Sequence, residues 1–319
     1  MARAHAVRRR ELLAGLGGAS YAAEWLPAAD GRGAAHPAFN QPLPAEALQQ
    51  ISLDELLRFY RHPIRAFFQL RLGVSFILEE TELPDEEPFT LDNLSRYQFN
   101  SQLLNTLIDG DDPERLFQRV RRRRLALRAF GEIYWQKQQE EMSELAEQVR
   151  AERAESHSLE LDIDIAGVRL SGWLHQVQDD GLLRWRPATP SAVDGILPWL
   201  EHLVYCCAGG TGESRMYGRK NSAWRFAALA PEEAQAQLAE LLTGYQRGPS
   251  QPLLLLNKSG WAWLSQCYLP ETQQIDWEEE AQIKARAKLL QAWQGDQRIP
   301  GEGEDPTCSE CFANWIMNT

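Results

Sequence analysis

From Ser158 onward the apolar residues of this chain fall at every second position, and this change of period constrains the fold more than any other feature of its 319 residues. Leu159, Leu161, Ile163 and Ile165 alternate with polar residues, the Ala166-Gly167 turn reverses the chain, and Val168, Leu170 and Gly172 open a second strand. That strand continues through 171–177 (SGWLHQV). Asp179-Asp180-Gly181, short polar residues ahead of a glycine, then turn it into a third strand at 182–186 (LLRWR). The expectation is a three-stranded meander ending at Pro187.

Helical period dominates on either side. Ser52-Leu53-Asp54-Glu55 is a capping box, and Leu53, Leu56, Leu57 and Tyr60 share one helical face until Pro63 bends the chain at His62. A second helix then carries Ile64, Phe67, Phe68 and Leu72. An acidic loop at 79–92 leads into a helix over 94–108, and a long helix from Phe130 to about Glu155 shows a sparse apolar stripe of Ile133, Met142, Leu145 and Val149. After the meander the pattern predicts a helix over 194–207, a strand over 213–227, a helix over 231–246, a strand over 252–256 and a helix over 278–293. The fold class is therefore α/β (α+β), a core sheet flanked by helices behind an N-terminal helical part. Residues 1–45, rich in Ala, Gly and Pro, read as an extended N-terminal linker. The domain proper is placed at 46–305, helical over 46–157 and sheet-based over 158–305, with a divergent tail at 306–319.

Composition limits the function classes. With 33 Lys and Arg against 45 Asp and Glu, the net charge of −12 excludes a wholly basic nucleic-acid binder, so any DNA contact has to be local. The strongest basic run is 119–128 (RVRRRRLALR), and Arg121, Arg122, Arg123 and Arg124 are its candidate DNA-binding residues. A solvated loop explains the run equally well, because no aromatic residue interleaves with the arginines. The five cysteines lack a disulfide rhythm and fit a reducing, cytoplasmic setting. No run of about 18 apolar residues exists to span a membrane. Arg8-Arg9-Arg10 has the outline of an export signal, but the stretch after it is glycine-rich and interrupted by Glu24, and it reads as a loose N-terminal extension.

Cofactor motifs are incomplete. Gly209-Gly210-Thr211-Gly212 lacks the lysine of a P-loop, so no ATP site is expected. Cys308-x-x-Cys311 supplies two of the four ligands that a structural zinc needs. No cysteine precedes Cys206, which argues against a four-cysteine iron–sulfur cluster. Trp173, Trp185, Trp199, Trp224, Trp261 and Trp263 are expected as core and interface anchors.

Several sequence blocks, in one order, carry a resemblance. They are SYAAEWLPAA (20–29), FYRHPIRAFFQLRLGV (59–74), SRYQFNSQLLNTL (95–107), FGEIYW (130–135), GWLHQVQDDGLLRWRP (172–187), WLEHLVYCCAGGTGESR (199–215) and GEGED (301–305). The chain resembles the nuclease domains of the RecB family, with their PD-(D/E)XK core. More closely, it resembles the C-terminal region of the RecC family, the gamma subunit of exodeoxyribonuclease V.

The resemblance implies a nuclease body that cannot cut. Where active relatives place an acid on one strand and Asp/Glu-x-Lys on the next, this chain has His175, Arg184 and Arg186. Its early helix also has no histidine. The implied state is no magnesium, no iron–sulfur cluster and no ATP bound by this chain. Its implied role is to guide DNA and dock a RecD-like alpha and a RecB-like beta subunit during double-strand-break repair and recombination, without a membrane. Two alternatives stay open at this point. One is a living metal-dependent exonuclease built on Asp162, Asp164, Asp179 and Asp180; the other is a protein-only assembly module without DNA contact. Glu201 and Tyr205 stand where active relatives have Gln-x-x-x-Tyr; a helical face with its tyrosine packed on the sheet is the plainer account.

Overall fold

The computed structural model describes residues 42–44, 47–75, 93–121, 128–269, 271–272, 274–296, 299–309 and 311–312. All of them fall in the second of two units, which divide between Asn40 and Gln41. The linker expected at 1–45 lies almost wholly outside the described residues, as do Arg122, Arg123, Arg124 and the acidic loop.

β1 (Gln50–Ser52) runs directly into α1 (Leu53–Arg61). The capping box forms as expected: the Glu55 N–H donates to the Ser52 hydroxyl at 3.3 Å, and the Ser52 N–H donates to the Glu55 carboxylate at 2.9 Å. Leu53, Leu56, Phe59 and Tyr60 are buried, and Leu57 packs at the margin of the same core. Beyond His62, α2 (Pro63–Ala66) continues as a π-helical turn, Phe67–Arg71. Phe67 and Phe68 point inward, but the widened turn rotates the face, and Leu72, expected on the buried side, is 37% exposed.

α3 (Asn93–Ile108), α4 (Pro113–Arg121) and α5 (Arg128–Glu152) surround a core of Phe99, Leu103, Leu104, Phe117, Trp135, Met142, Leu145 and Val149. Phe117 stacks on Trp135 at 4.7 Å between ring centroids. Ile133, expected in the stripe of α5, is 67% exposed instead. The buried row runs Trp135, Gln138, Met142, Leu145, Val149 in steps of three and four, and Ile133 lies off that row.

The meander forms where the alternation places it: β2 (His157–Ile165), β3 (Val168–Gln178) and β4 (Gly181–Trp185). β1 joins β3 in parallel, with Ile51 opposite Leu170. α6 (Ala192–Cys207) crosses to β5 (Ser214–Gly218), which runs parallel to β4. The single strand expected over 213–227 is in fact a hairpin, β5 with β6 (Ser222–Phe226). Its turn residues Lys220 and Asn221 both have positive φ, 60° and 52°. A turn of that kind usually announces itself by glycine, and here only Asn221 hints at it. The sheet order is β1-β3-β4-β5-β6, with β2 paired to the free side of β3.

α7 (Pro231–Arg247) follows, and then 252–256, expected as a strand, is irregular. Leu253 and Leu255 lean on the core and Leu256 is buried, so this leucine-rich run reaches its burial without a ladder partner. α8 (Ser259–Cys267), not anticipated, and the small hairpin of β7 (Tyr268–Leu269) and β8 (Gln274–Ile275) lead to α9 (Glu279–Gln294). The Glu302 carboxylate accepts the Lys258 and Ser259 N–H groups at 3.1 and 2.8 Å and so caps α8. Asp305 pairs with Arg65 of α2 at 2.9 Å.

Two cores meet at β4. Leu182 enters the core formed by α1, α6, α7 and the inner face of β2–β3, while its neighbour Leu183 enters the core of α3–α5. Gly181 sets this point: its φ is +129°, and a Cβ there would lie 2.1 Å from the Glu213 carbonyl oxygen.

Candidate functional site

The three residues singled out by sequence lie close together. β3 and β4 share ladder pairs at Val177–Leu182 and Gln178–Gly181, and beyond those pairs the His175 carbonyl accepts from Arg184 Nη2 at 3.0 Å. A bulge separates His175 from the regular ladder: β2 pairs Leu159 with Leu174 and His157 with Val177, and Gln176 has φ +57°. The His175 ring is exposed, with Nδ1 2.8 Å from the Ser158 hydroxyl oxygen.

Arg184 leans from β4 across to α6. Its Nε donates to Glu201 Oε2 at 2.9 Å, its Nη2 to the His175 carbonyl at 3.0 Å, and its Nη1 to the Leu183 carbonyl at 3.2 Å. The Arg184 and Glu201 side chains are only 19% and 21% exposed. Arg186, just past β4, pairs with Asp194 near the start of α6 and lies over the Tyr97 ring at 5.8 Å. Asp194 is itself held, accepting the Ser191 N–H and hydroxyl at 2.7 Å each.

The other face of β4–β5 repeats the device. Arg215, opposite Leu183, pairs with Glu152 of α5 at 2.7 Å and with Asp180 of the β3–β4 turn. Burial alone would lower the basicity of Arg215, but the Asp180 hydrogen bond and the charges of Asp180 and Glu152 outweigh it and hold the guanidinium more firmly protonated than usual. Tyr217 donates its hydroxyl to Glu152 at 2.5 Å, and burial, with the Glu152 hydrogen bond and charge, pushes its pKa up to about 12.

The remaining sequence candidates disperse. Asp162 pairs with Arg169, and Asp164 accepts the Gly167 N–H at 3.0 Å, at the end of β2–β3 remote from Asp179 and Asp180. The four aspartates of the living-nuclease alternative therefore form no common site. Among the described residues no group of three or more His, Cys, Asp or Glu side chains could hold a metal ion. Tyr205 is buried on the sheet, where its hydroxyl accepts the Gly212 N–H at 3.2 Å; Glu201, from the same motif, turns to Arg184. Arg121 ends α4, and Arg122, Arg123 and Arg124 lie outside the described residues. Cys308 is buried, and its thiol is pushed up to about 12 by burial.

Sequence reasoning missed Asp194, Glu152 and Arg215. A signal existed for the first: Asp194 and Glu201 lie seven residues apart, two turns of one helix face, matching two arginines two apart on a strand.

These arginine clamps lie inside the segment that matches known proteins. A family described as "RecC C-terminal domain" matches residues 48–268. The chain belongs to that family. It is 51% identical over 287 residues to the RecBCD enzyme subunit RecC of Escherichia coli K12, covering 90% of this chain and 26% of the relative. It is 34% identical over 257 residues to the subunit of the same name from Buchnera aphidicola of Acyrthosiphon pisum, covering 80% of this chain and 24% of that one. A Mycolicibacterium smegmatis RecC subunit matches at 26% over 251 residues. The chain thus spans about a quarter of the length of the RecC subunits it matches most strongly. No helix of the described residues is long and apolar enough to cross a membrane.

Proposed function

We propose that this domain is a catalytically silent, nuclease-like body that guides DNA and docks partner subunits within a RecBCD-type helicase–nuclease complex, exodeoxyribonuclease V, acting in double-strand-break repair and recombination. One observation carries the reading. The positions that would offer carboxylates and a lysine to a metal and a scissile phosphate are His175, Arg184 and Arg186, and both guanidiniums are already bound to α6 through Glu201 and Asp194. A magnesium ion takes oxygen ligands, and a cationic guanidinium at that point does not fit it. Enzyme activity then belongs to the assembly rather than to this chain.

The relatives are named as subunits of a RecBCD enzyme, which supports RecB-like beta and RecD-like alpha partners. Exposed aromatic and aliphatic residues concentrate on the α8–α9 part: Trp261, Tyr268, Leu269, Trp277 and Ile283, with Trp277 73% exposed. Side chains of this type supply the anchors of protein interfaces, and we assign them to the alpha subunit. DNA contact is assigned to Arg121–Arg124, as a weak and nonspecific attraction to phosphates.

Co-expression with a RecD-like alpha subunit tests this reading. The expected product is a soluble complex that co-elutes in size exclusion and leaves linear single- and double-stranded DNA intact in magnesium or manganese. A chain that ignores the alpha subunit, or EDTA-sensitive cleavage by the chain itself, would falsify it.

A further inference from the structure

β2 lies at a margin of the sheet, and among the described residues no strand pairs with its outer side. Its register fixes which groups face outward. The two-residue turn Ala166-Gly167, with φ 52° and 81°, makes Ile165 and Val168 a hydrogen-bonded pair, so Ile163–Leu170 and Leu161–Gly172 are the next such pairs. Arg169 obeys the same alternation: its N–H turns away from β2 and donates to the Gln49 carbonyl at 2.9 Å, on the β1 side. The backbone N–H and C=O groups of Glu160, Asp162 and Asp164 therefore point away from β3, along a strand of nine residues. The side chains of these three residues share the solvent face, while Leu161 and Ile165 are buried on the other. Asp162 is paired with Arg169 of β3, and Trp173, opposite Glu160 on the same face, is 50% exposed.

An unpaired strand edge of this length is a template for another strand, and its charges decide which one. A second copy of this chain does not fit. Antiparallel self-pairing sets Glu160 opposite Asp162, or one of these acids opposite its own copy, and like charges directly opposite repel. Nucleic acid does not fit either, because the same row of carboxylates repels phosphates. We infer that β2 is a docking edge for an extended, basic segment of a partner protein, which adds as a strand outside β2 and lays Lys or Arg side chains against Glu160, Asp162 and Asp164. Main-chain hydrogen bonds supply the affinity, and the carboxylates select the sequence. The inference rests on the edge of β2 alone, so it stands or falls apart from the DNA contact and from the α8–α9 face.

The test is fluorescence anisotropy with the full chain and a labelled peptide of alternating Lys and Thr. A second peptide has the same sequence with every backbone nitrogen methylated, so that it keeps the charge but cannot donate main-chain hydrogen bonds. The first peptide should bind the wild type, and the methylated one roughly tenfold or more weakly, since several hydrogen bonds are lost. Glu160→Gln and Glu160→Pro remove the same charge, but only the proline also removes an outward N–H. Because that N–H takes no part in the β2–β3 ladder, the proline is tolerated as on other edge strands. Glu160→Gln should weaken the first peptide a few-fold, and Glu160→Pro roughly tenfold further. Should Glu160→Pro fail to fold, the two peptides on the wild-type chain decide the matter. No binding of the first peptide at millimolar concentration, or equal binding of both peptides, overturns the inference. So does a wild-type chain that sediments as a dimer and becomes monomeric on Glu160→Pro, which would make the occupant a second copy.

Discussion

Helix α6 holds the sheet by two different chemistries, and comparing its two faces shows what each can specify. Its apolar face buries Leu200, Leu203 and Val204 against Leu170, Leu174 and Leu182, a contact that excludes water but fixes no particular pair of atoms. Its charged face presents Asp194 and Glu201, two turns apart, to Arg186 and Arg184, two residues apart on β4 and just beyond it. Sliding α6 by one residue would leave the leucines buried in some arrangement, yet would separate both acids from their arginines. The apolar face supplies the energy. The ionic face supplies the register, at a desolvation cost that an exposed pair would not carry.

The most direct way to break this division is at Leu203, which has no exposed surface. Leu203→Ala should cost about 2–5 kcal/mol by chemical denaturation, the range for emptying a buried leucine site. A loss under about 1 kcal/mol would mean that the apolar face is not where α6 draws its stability.

The charged face is expected to be weaker. Arg186→Met removes one partner of Asp194, but that carboxylate keeps two bonds from Ser191, so no bare charge remains. The expected cost is about 1 kcal/mol, discounted because both side chains are about a fifth exposed. A cost equal to that of Leu203→Ala would erase the distinction between the faces.

The same contrast decides how much was legible beforehand. Period-two alternation marked β2, β3 and β4 to within a residue or two, because one buried face imposes a strict pattern on the sequence. Burial without alternation was misread: 252–256 is apolar enough for a strand but takes no ladder partner, and Ile133 is apolar yet lies off the buried row of α5. The β5–β6 hairpin stayed hidden because Lys220 fills a left-handed position usually marked by glycine. At the site, residue identity alone singled out His175, Arg184 and Arg186. Their partners did not appear, since ion pairs join distant segments through tertiary register that no local pattern encodes. Asp194 was within reach of helical spacing; Glu152, at the far end of α5, was not.

The last effect depends on pH and concerns a polar group buried on the apolar face itself. His202 has no exposed surface and stacks with Trp199 and Phe226. Its Nε2 lies 2.9 Å from the Ala227 carbonyl, an acceptor, so Nε2 donates there; Nδ1 then accepts the Ser214 hydroxyl at 2.7 Å, while Ser214 accepts the Leu182 N–H at 3.3 Å. That relay suits the neutral ring. Burial lowers the His202 pKa below that of an ordinary histidine, against the opposing pull of the Ala227 bond and of Glu213. Below about pH 6.5 the unfolded chain therefore binds a proton that the folded chain resists. Stability should be level above that point and fall as acid is added, with a slope of at most about 1.4 kcal/mol per pH unit for this group. His62, also lowered by burial, adds to the same limb. His202→Gln should weaken the fold at neutral pH but flatten the acid limb, leaving the share due to His62. If denaturation midpoints measured from pH 8 to 5 run parallel in the two proteins, the buried histidine is not what makes this face of α6 sensitive to acid.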